Sequence, residues 1–379
     1  MHFATTLEPF ALEDCFRRYR KHAEIMLCSS GVEEFRFGEL RAVLDLSLAD
    51  LDGVLIEDSD SMGSDGLRGA IAGLYRDEDP ASVLVTHGSS EAIFLAMTSL
   101  LAPGDDVVVM QPCYQGLYSL AEAAGCRITP WRLEFDAGFR PDIAALERLV
   151  TPRTRMIVVN SPNNPTGAVL TEREQDAVVR IATDCGSLVF WDDAFAALSF
   201  AGDALPERRR TRSEIRIGTL SKSYGLPGLR VGWCVASPEL LAEMVRTRDY
   251  VTLNLSPLIE LIAERALARG RSLLERRLPQ VRRNLQLLRA WAAENAEHVE
   301  WVEPEGGVSV FPRFTSAIDV DALCEELVTE KGVFVLPGSC FGEPRHVRLG
   351  FGGDGAAFAE GLRRISEHLA ARTAAFVRG

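Results

Sequence analysis

No apolar run in this 379-residue chain approaches the roughly 18 residues that span a bilayer as a helix. The opening stretch "MHFATTLEPFALEDCFRRYR" also lacks a basic head followed by an apolar segment. Both absences predict a protein that stays in the cytoplasm, with no membrane partner. Its cysteines, Cys15, Cys28, Cys113, Cys126, Cys185, Cys234, Cys324 and Cys340, include no C-x-x-C pair and no Cys/His cluster at zinc spacing. They read as reduced, mostly buried thiols, and no metal site is expected. Positive charge is in deficit: 41 Lys and Arg stand against 54 Asp and Glu, a net charge of -13. A general nucleic-acid surface needs clustered cations, so no nucleic-acid partner is expected. Internal repeats, low-complexity linkers and an N-terminal helix-turn-helix are absent as well.

What is present is the composition of a globular protein, 47% hydrophobic and 25% charged. The length predicts two to three domains, or one large and one small. From about residue 83, short apolar runs alternate with amphipathic stretches. "VLVTHG", "DVVVMQP", "RMIVVNSP", "SLVFWDDA", "IRIGTLS" and "LRVGWCVAS" read as buried strands, and "SSEAIFLAMTSLLA" and "TEREQDAVVRIATDCG" as helices between them. That pattern predicts an α/β fold with a mainly parallel sheet flanked by helices. Residues 257–295 carry helical periodicity that Pro279 should break or kink. Beyond them, "GGVSVFPRF", "VDALCEELVTEKG", "VFVLPG" and "HVRLGFG" suggest a compact α+β unit. The expected division is a large domain over 43–256 and a small one built from 1–42 and 257–379.

Unusual residues cluster where strands end, the place where parallel sheets bind ligands. In "THGSSEA", Gly88, Ser89 and Ser90 would offer N–H groups and hydroxyls at a helix N-terminus, an anion site or an ordinary cap. "NSPNNPTG" is turn chemistry that also sets the Asn164 amide beyond a strand end. In "FWDDAF", Asp192 and Asp193 are driven to the end of an apolar strand, where one of them needs a cation or donor. "TLSKSYGLPGLRVGW" brings Thr219, Ser221, Lys222 and Arg230 together. An anion cradle, an asparagine, a buried carboxylate, a lysine and a guanidinium form the set that pyridoxal 5'-phosphate (PLP) requires.

These motifs, in this order over about 320 residues, resemble the class I and II aminotransferases of fold type I. The resemblance implies PLP as cofactor and Lys222 as its Schiff-base lysine. It makes Gly88, Ser89, Ser90, Thr219, Ser221 and Arg230 the phosphate site, Asp192 the partner of the ring nitrogen and Asn164 the donor to the ring 3'-oxygen. Tyr114 in "QPCYQGLY" matches the aromatic that stacks on the ring, and with Lys222 and Asp192 completes the expected catalytic set. Arg348 in "VRLGF" matches the residue that grips a substrate α-carboxylate, and Gly31 in "SSGV" the glycine that closes over it. A small amino-acid substrate and a homodimer with its site near the interface are implied too.

Two positions depart from the family. Phe195 stands where many members carry a tyrosine, and Asp58 where a partner-chain tyrosine often reaches the phosphate. The first departure, with "SSGVEEFRFGELR" and "RTRDYVTLNLSPL", resembles a subgroup of antibiotic biosynthesis that closes a ring on β-hydroxylated arginine. Asp193 and Asp249 are candidate neighbours for such a guanidinium, and each could equally be structural. The alternatives are a plain amino-acid aminotransferase and a ligand-sensing module on the same fold.

Overall fold

The computed structural model describes residues 6–200, 205, 209–315 and 318–378. A two-residue strand, β1 (Ile25–Met26), precedes the main sheet of seven: β2 (Val83–Thr86), β3 (Asp106–Gln111), β4 (Arg127–Arg132), β5 (Thr154–Asn160), β6 (Leu188–Asp192), β7 (Glu214–Thr219) and β8 (Gly232–Val235). Their order across the sheet is β2-β8-β7-β6-β5-β3-β4. Every neighbouring pair is parallel except those made by β8, which runs antiparallel to both β2 and β7.

The apolar runs explain the layering. Alternate residues of β3, β5 and β6 feed two different cores: Val107, Val109, Met156, Val158 and Phe190 on one face, and Val108, Ile157, Val159, Val189 and Trp191 on the other. Both faces are thus covered, as a parallel sheet requires. Strand β4 was not among the strands read from the sequence. Pro130 interrupts its pattern, and the ladder tolerates that residue because β4 is the sheet edge.

The helices include α1 (Ala11–Tyr19), α2 (Gly88–Ser99), α3 (Glu172–Cys185), α4 (Pro257–Ala268), α5 (Gly270–Glu294) and α6 (Gly355–Arg378). Helix α3 starts with a reciprocal cap between Thr171 and Glu174 and ends at Gly186 in the left-handed region. The expected interruption at Pro279 lies elsewhere: α4 gives way to α5 at Arg269, and Pro279 sits inside α5. Pro279 is exposed there, as is Glu275 one turn before it. The carbonyl it leaves without a donor can therefore turn to water.

A third core joins α5 and α6 to the short strands of the C-terminal part, through Val281, Leu285, Leu288, Phe358, Leu362 and Ile365. Those strands are β9 (Val299–Glu300), β10 (Ser309–Val310), β11 (Arg313–Phe314), β12 (Val333–Phe334), β13 (Leu336–Pro337) and β14 (Val347–Gly350). Strand β1 pairs in parallel with β12, Ile25 opposite Val333. The segment that follows β1 therefore runs across from this part to the ends of β6 and β7. No helix among the described residues is long and apolar enough to cross a membrane.

Candidate active site

Three neighbouring strands end on polar residues: Asn160 closes β5, Asp192 closes β6 and Thr219 closes β7. They open onto a cavity of about 800 Å3 that is lined by Gly31, Ser89, Ser90, Tyr114, Asn164, Asp192, Ser221, Lys222, Arg230 and Arg348. Ten of the twelve site residues picked out from the sequence thus share one hollow. The other two lie just behind it. Thr219 is buried, accepts from the Ser221 N–H (3.1 Å) and donates to the Val231 carbonyl (2.9 Å), so it shapes the turn that carries Ser221 and Lys222.

Gly88 opens α2 with φ +73°, and a Cβ there would come within 2.5 Å of Arg230 Nη2. Only glycine lets that guanidinium lie against the helix start. Ser89, Ser90 and Arg230 therefore converge at the positive end of α2, an arrangement suited to a phosphate-sized anion. Arg230 itself adopts the left-handed conformation, φ 55° and ψ 43°, and donates to the Pro227 carbonyl at 3.2 Å.

Lys222 Nζ donates to Ser30 Oγ at 3.3 Å. Burial, with Arg348 and Arg230 nearby, lowers the lysine to about 8, against the opposing pull of Asp192 and Glu13. Asp192 is 6% exposed and has no ion-pair partner within 4 Å among the described residues. Burial pushes it up to about 7, with Asp193 adding to the shift and the Ala194 N–H (3.1 Å) and Lys222 opposing it. A buried carboxylate in this condition calls for a closer cation than any that the described residues place against it.

On the opposite wall, Arg348 is 2% exposed. Its Nη1 donates to Asn164 Oδ1 at 3.1 Å, Nη2 donates to the Cys28 carbonyl, and Nε has no partner. Burial lowers it to about 10, a range in which it keeps its charge. An orphaned donor on a buried guanidinium that lines a cavity suits a carboxylate ligand. Asn164 is set in turn by its own N–H, which donates to Asn160 Oδ1 at 2.7 Å. The Tyr114 ring closes a further side, with Phe10 packed on it at 5.1 Å between centroids. Its hydroxyl is hydrogen-bonded to Ser90, and burial raises it. Gly31 lies against the backbone of Ser221 and Lys222, 3.4 to 3.7 Å from where a Cβ would stand.

Two acidic candidates from the sequence are not free for a guanidinium. Asp193 is locked to Arg216, whose Nη1 donates to both its oxygens at 3.0 and 2.9 Å. The Arg216 guanidinium also donates to Gln175 (3.0 Å) and lies 4.8 Å from the Trp191 ring. Asp249 ends the helix Pro238–Arg248, is exposed and does not line the cavity. Phe195 is buried and lines the cavity wall, with no hydroxyl to offer. Asp58 is exposed in the loop before the helix Asp65–Ala72. The reading from sequence missed Ser30 and Asn160. Both flank motifs it had singled out, and Asn160 is a buried polar residue at the end of an apolar strand, which is itself a signal.

A doubly covered parallel sheet with a lysine, a buried carboxylate and an anion cradle at its carboxyl edge defines an α/β enzyme of the PLP-dependent kind. The family model "Aminotransferase class I and II" matches residues 42–365. The chain belongs to that family, and its cofactor is PLP. It is 41% identical over 362 residues to capreomycidine synthase of Streptomyces vinaceus, covering 94% of this chain and 93% of that one. It is 28% identical to an arginine–pyruvate transaminase of Pseudomonas aeruginosa, covering 92% and 91%. Among solved structures it resembles the PLP-dependent cyclase OrfR, with a TM-score of 0.90 and 39% identity over 96% of this chain and 98% of that one.

The residues present fit the cofactor. Asp192 lacks the cation that a protonated ring nitrogen would be, the start of α2 with Arg230 suits its phosphate, and Lys222 is the amine within the same cavity.

Proposed function

We propose that this enzyme closes a ring on an L-arginine hydroxylated at Cβ, mono- or dihydroxylated, giving capreomycidine or a hydroxy-capreomycidine for antibiotic biosynthesis. The observation that carries the reading is the likeness to capreomycidine synthase along nearly the whole chain. Bound PLP supplies an electrophilic carbon for the substrate amine and a cationic ring that stabilises negative charge at Cα.

The chain's residues do the rest. Ser89, Ser90, Ser221 and Arg230 hold the phosphate, Asp192 keeps the ring nitrogen protonated, and Asn164 and Tyr114 fix the ring. Arg348 takes the α-carboxylate, which a guanidinium can grip with two parallel N–H bonds. Lys222 Nζ, with its basicity lowered toward neutrality, removes the Cα proton and later returns one to Cα. The Cβ hydroxyl leaves as water, and a guanidine nitrogen of the same molecule bonds to Cβ and sheds its proton. The product is thus the substrate less one water, with the amino group retained. A tethered nucleophile outcompetes solvent because its approach is already oriented.

Incubation with 3-hydroxyarginine and mass analysis tests this: loss of water with all nitrogens kept supports ring closure. A keto acid with pyridoxamine phosphate would establish aminotransfer instead, the reading favoured by the likeness to an arginine–pyruvate transaminase.

We infer further that the enzyme works in the cytoplasm as a homodimer. Leu55, Ile56, Tyr250, Val251 and Leu253 are all more than half exposed, Tyr250 to 93%. Arg248, which donates to the Ser61 carbonyl, sets the two segments side by side, and so much exposed apolar surface suits a partner subunit.

A further inference from the structure

Besides Asp192, five carboxylate residues line the cavity: Glu13, Glu24, Glu33, Glu34 and Asp354. Three are committed elsewhere. Glu24 pairs with Arg364 at 2.7 Å. Glu33 lies 3.6 Å from Arg277 and accepts from Gln280 at 3.2 Å. Asp354 caps α6 by accepting from the Ala357 N–H at 2.8 Å. The side-chain carboxylates of Glu13 and Glu34 have no hydrogen-bonded or ionic partner among the described residues; the Glu34 main-chain carbonyl accepts from Arg277 at 2.9 Å. Of these two, Glu13 is the one whose charge acts on Lys222, Tyr114 and Arg348, favouring the protonated form of each.

Glu13 is placed there by α1. Positions 13, 16 and 20 fall on one helical face, and Glu13, Phe16 and Arg20 all line the cavity. The start of the helix is pinned by the Gln115 side chain. The Ala11 N–H donates to Gln115 Oε1 at 2.9 Å, and Gln115 Nε2 donates to the Pro9 carbonyl at 3.1 Å. Phe16 packs edge-on to Phe334 at 5.3 Å. Arg20 stands seven residues further along, about 10 Å at 1.5 Å per residue, and does not neutralise Glu13.

The second observation is at the inner end of the same hollow, where the buried Arg348 keeps Nε unpartnered. A hollow lined by a buried guanidinium with a donor unused and, from α1, by a carboxylate without a partner suits a ligand that carries an anion at one end and a cation at the other. We propose that Glu13 is the anchor for the guanidinium of the substrate, so that the amino acid is held at both ends, its α-carboxylate on Arg348 and its side-chain cation on Glu13. The assignment rests on the hydroxyarginine reading above and names the residue that selects that side chain over neutral ones.

The test is titration of the holoenzyme, followed by cofactor absorbance, with L-arginine and with L-citrulline. Citrulline replaces the guanidinium by a neutral ureido group of nearly the same shape. The wild type should bind arginine roughly tenfold or more tightly than citrulline, the size of a charge-assisted hydrogen bond. Glu13→Gln should bring the two affinities to within about threefold while leaving citrulline unchanged, and Glu13→Lys should reverse the order. Glu34→Gln should keep the wild-type ratio.

A Glu13→Gln or Glu13→Lys variant that still prefers arginine as the wild type does overturns the assignment alone, as does collapse of the ratio in Glu34→Gln. A wild type that does not distinguish arginine from citrulline overturns the substrate reading together with it.

Discussion

Arg348 Nη1 donates to the Asn164 side-chain oxygen at 3.1 Å, tying β14 to the loop after β5. The residue proposed to hold substrate and the residue proposed to hold the cofactor ring are therefore mechanically one unit. Asn164→Ala should raise KM for the amino acid about tenfold, and Arg348→Lys should raise it more, because an ammonium cannot grip a carboxylate with two parallel bonds. In the double variant the Asn164 effect should largely vanish, since its role in aiming the guanidinium is gone. Steady-state kinetics of the four proteins check this; simple additivity would show the contact to be idle.

Only three lysines occur in the chain, Lys21, Lys222 and Lys331. Burial holds Lys222 near 8. In cofactor-free enzyme an amine-acylating reagent should therefore label Lys222 with a pH midpoint near 8, and added PLP should protect it. Peptide mapping reads both. Lys222→Ala should lose turnover and the visible absorbance of the holoenzyme.

Asp192 gives a pH signature. Its pKa in the fold is about 7 against an ordinary 3.8, so the fold favours the neutral acid. Its contribution to the stability of the cofactor-free protein is intact below about pH 4 and is lost as pH rises through about 7. Asp192→Asn, fixed as a neutral side chain, should raise the Tm of cofactor-free protein at pH 8 and leave it nearly unchanged at pH 4. With PLP bound the substitution should lower Tm at pH 8, because the carboxylate is then paired. Thermal melts at both pH values decide; equal shifts with and without PLP would place Asp192 away from the ring.

Arg216 and Asp193 test structure apart from chemistry. Both are nearly inaccessible, and burial raises Asp193 to about 6 even with Arg216 beside it. Arg216→Met should cost about 3–5 kcal/mol in denaturant unfolding, and adding Asp193→Asn should restore most of it.

The parallel sheet was legible because residues buried on both faces leave continuous apolar runs, as in β5 and β6. Strand β4 was not, since Pro130 marks a non-strand unless one knows that it lies at an edge. The unbroken helix through Pro279 was missed for a similar reason: exposure decides whether the freed carbonyl can be satisfied. The glycines and hydroxyls around Lys222 were legible because few structural demands need that density of them. Glu13 was silent. On an amphipathic helix an exposed glutamate looks like any solvated one, and only the docking of α1 onto Tyr114 and Phe334 turns it toward the cavity.

The cavity draws its walls from residues 12–34 and 348–357 as well as from the central strands. Lys222 and Arg348, which share this hollow, lie more than a hundred residues apart in the chain. The cofactor cradle and the wall proposed to engage substrate are thus built from distant stretches, and a loosening of the 12–34 segment would open the second while leaving the first in place.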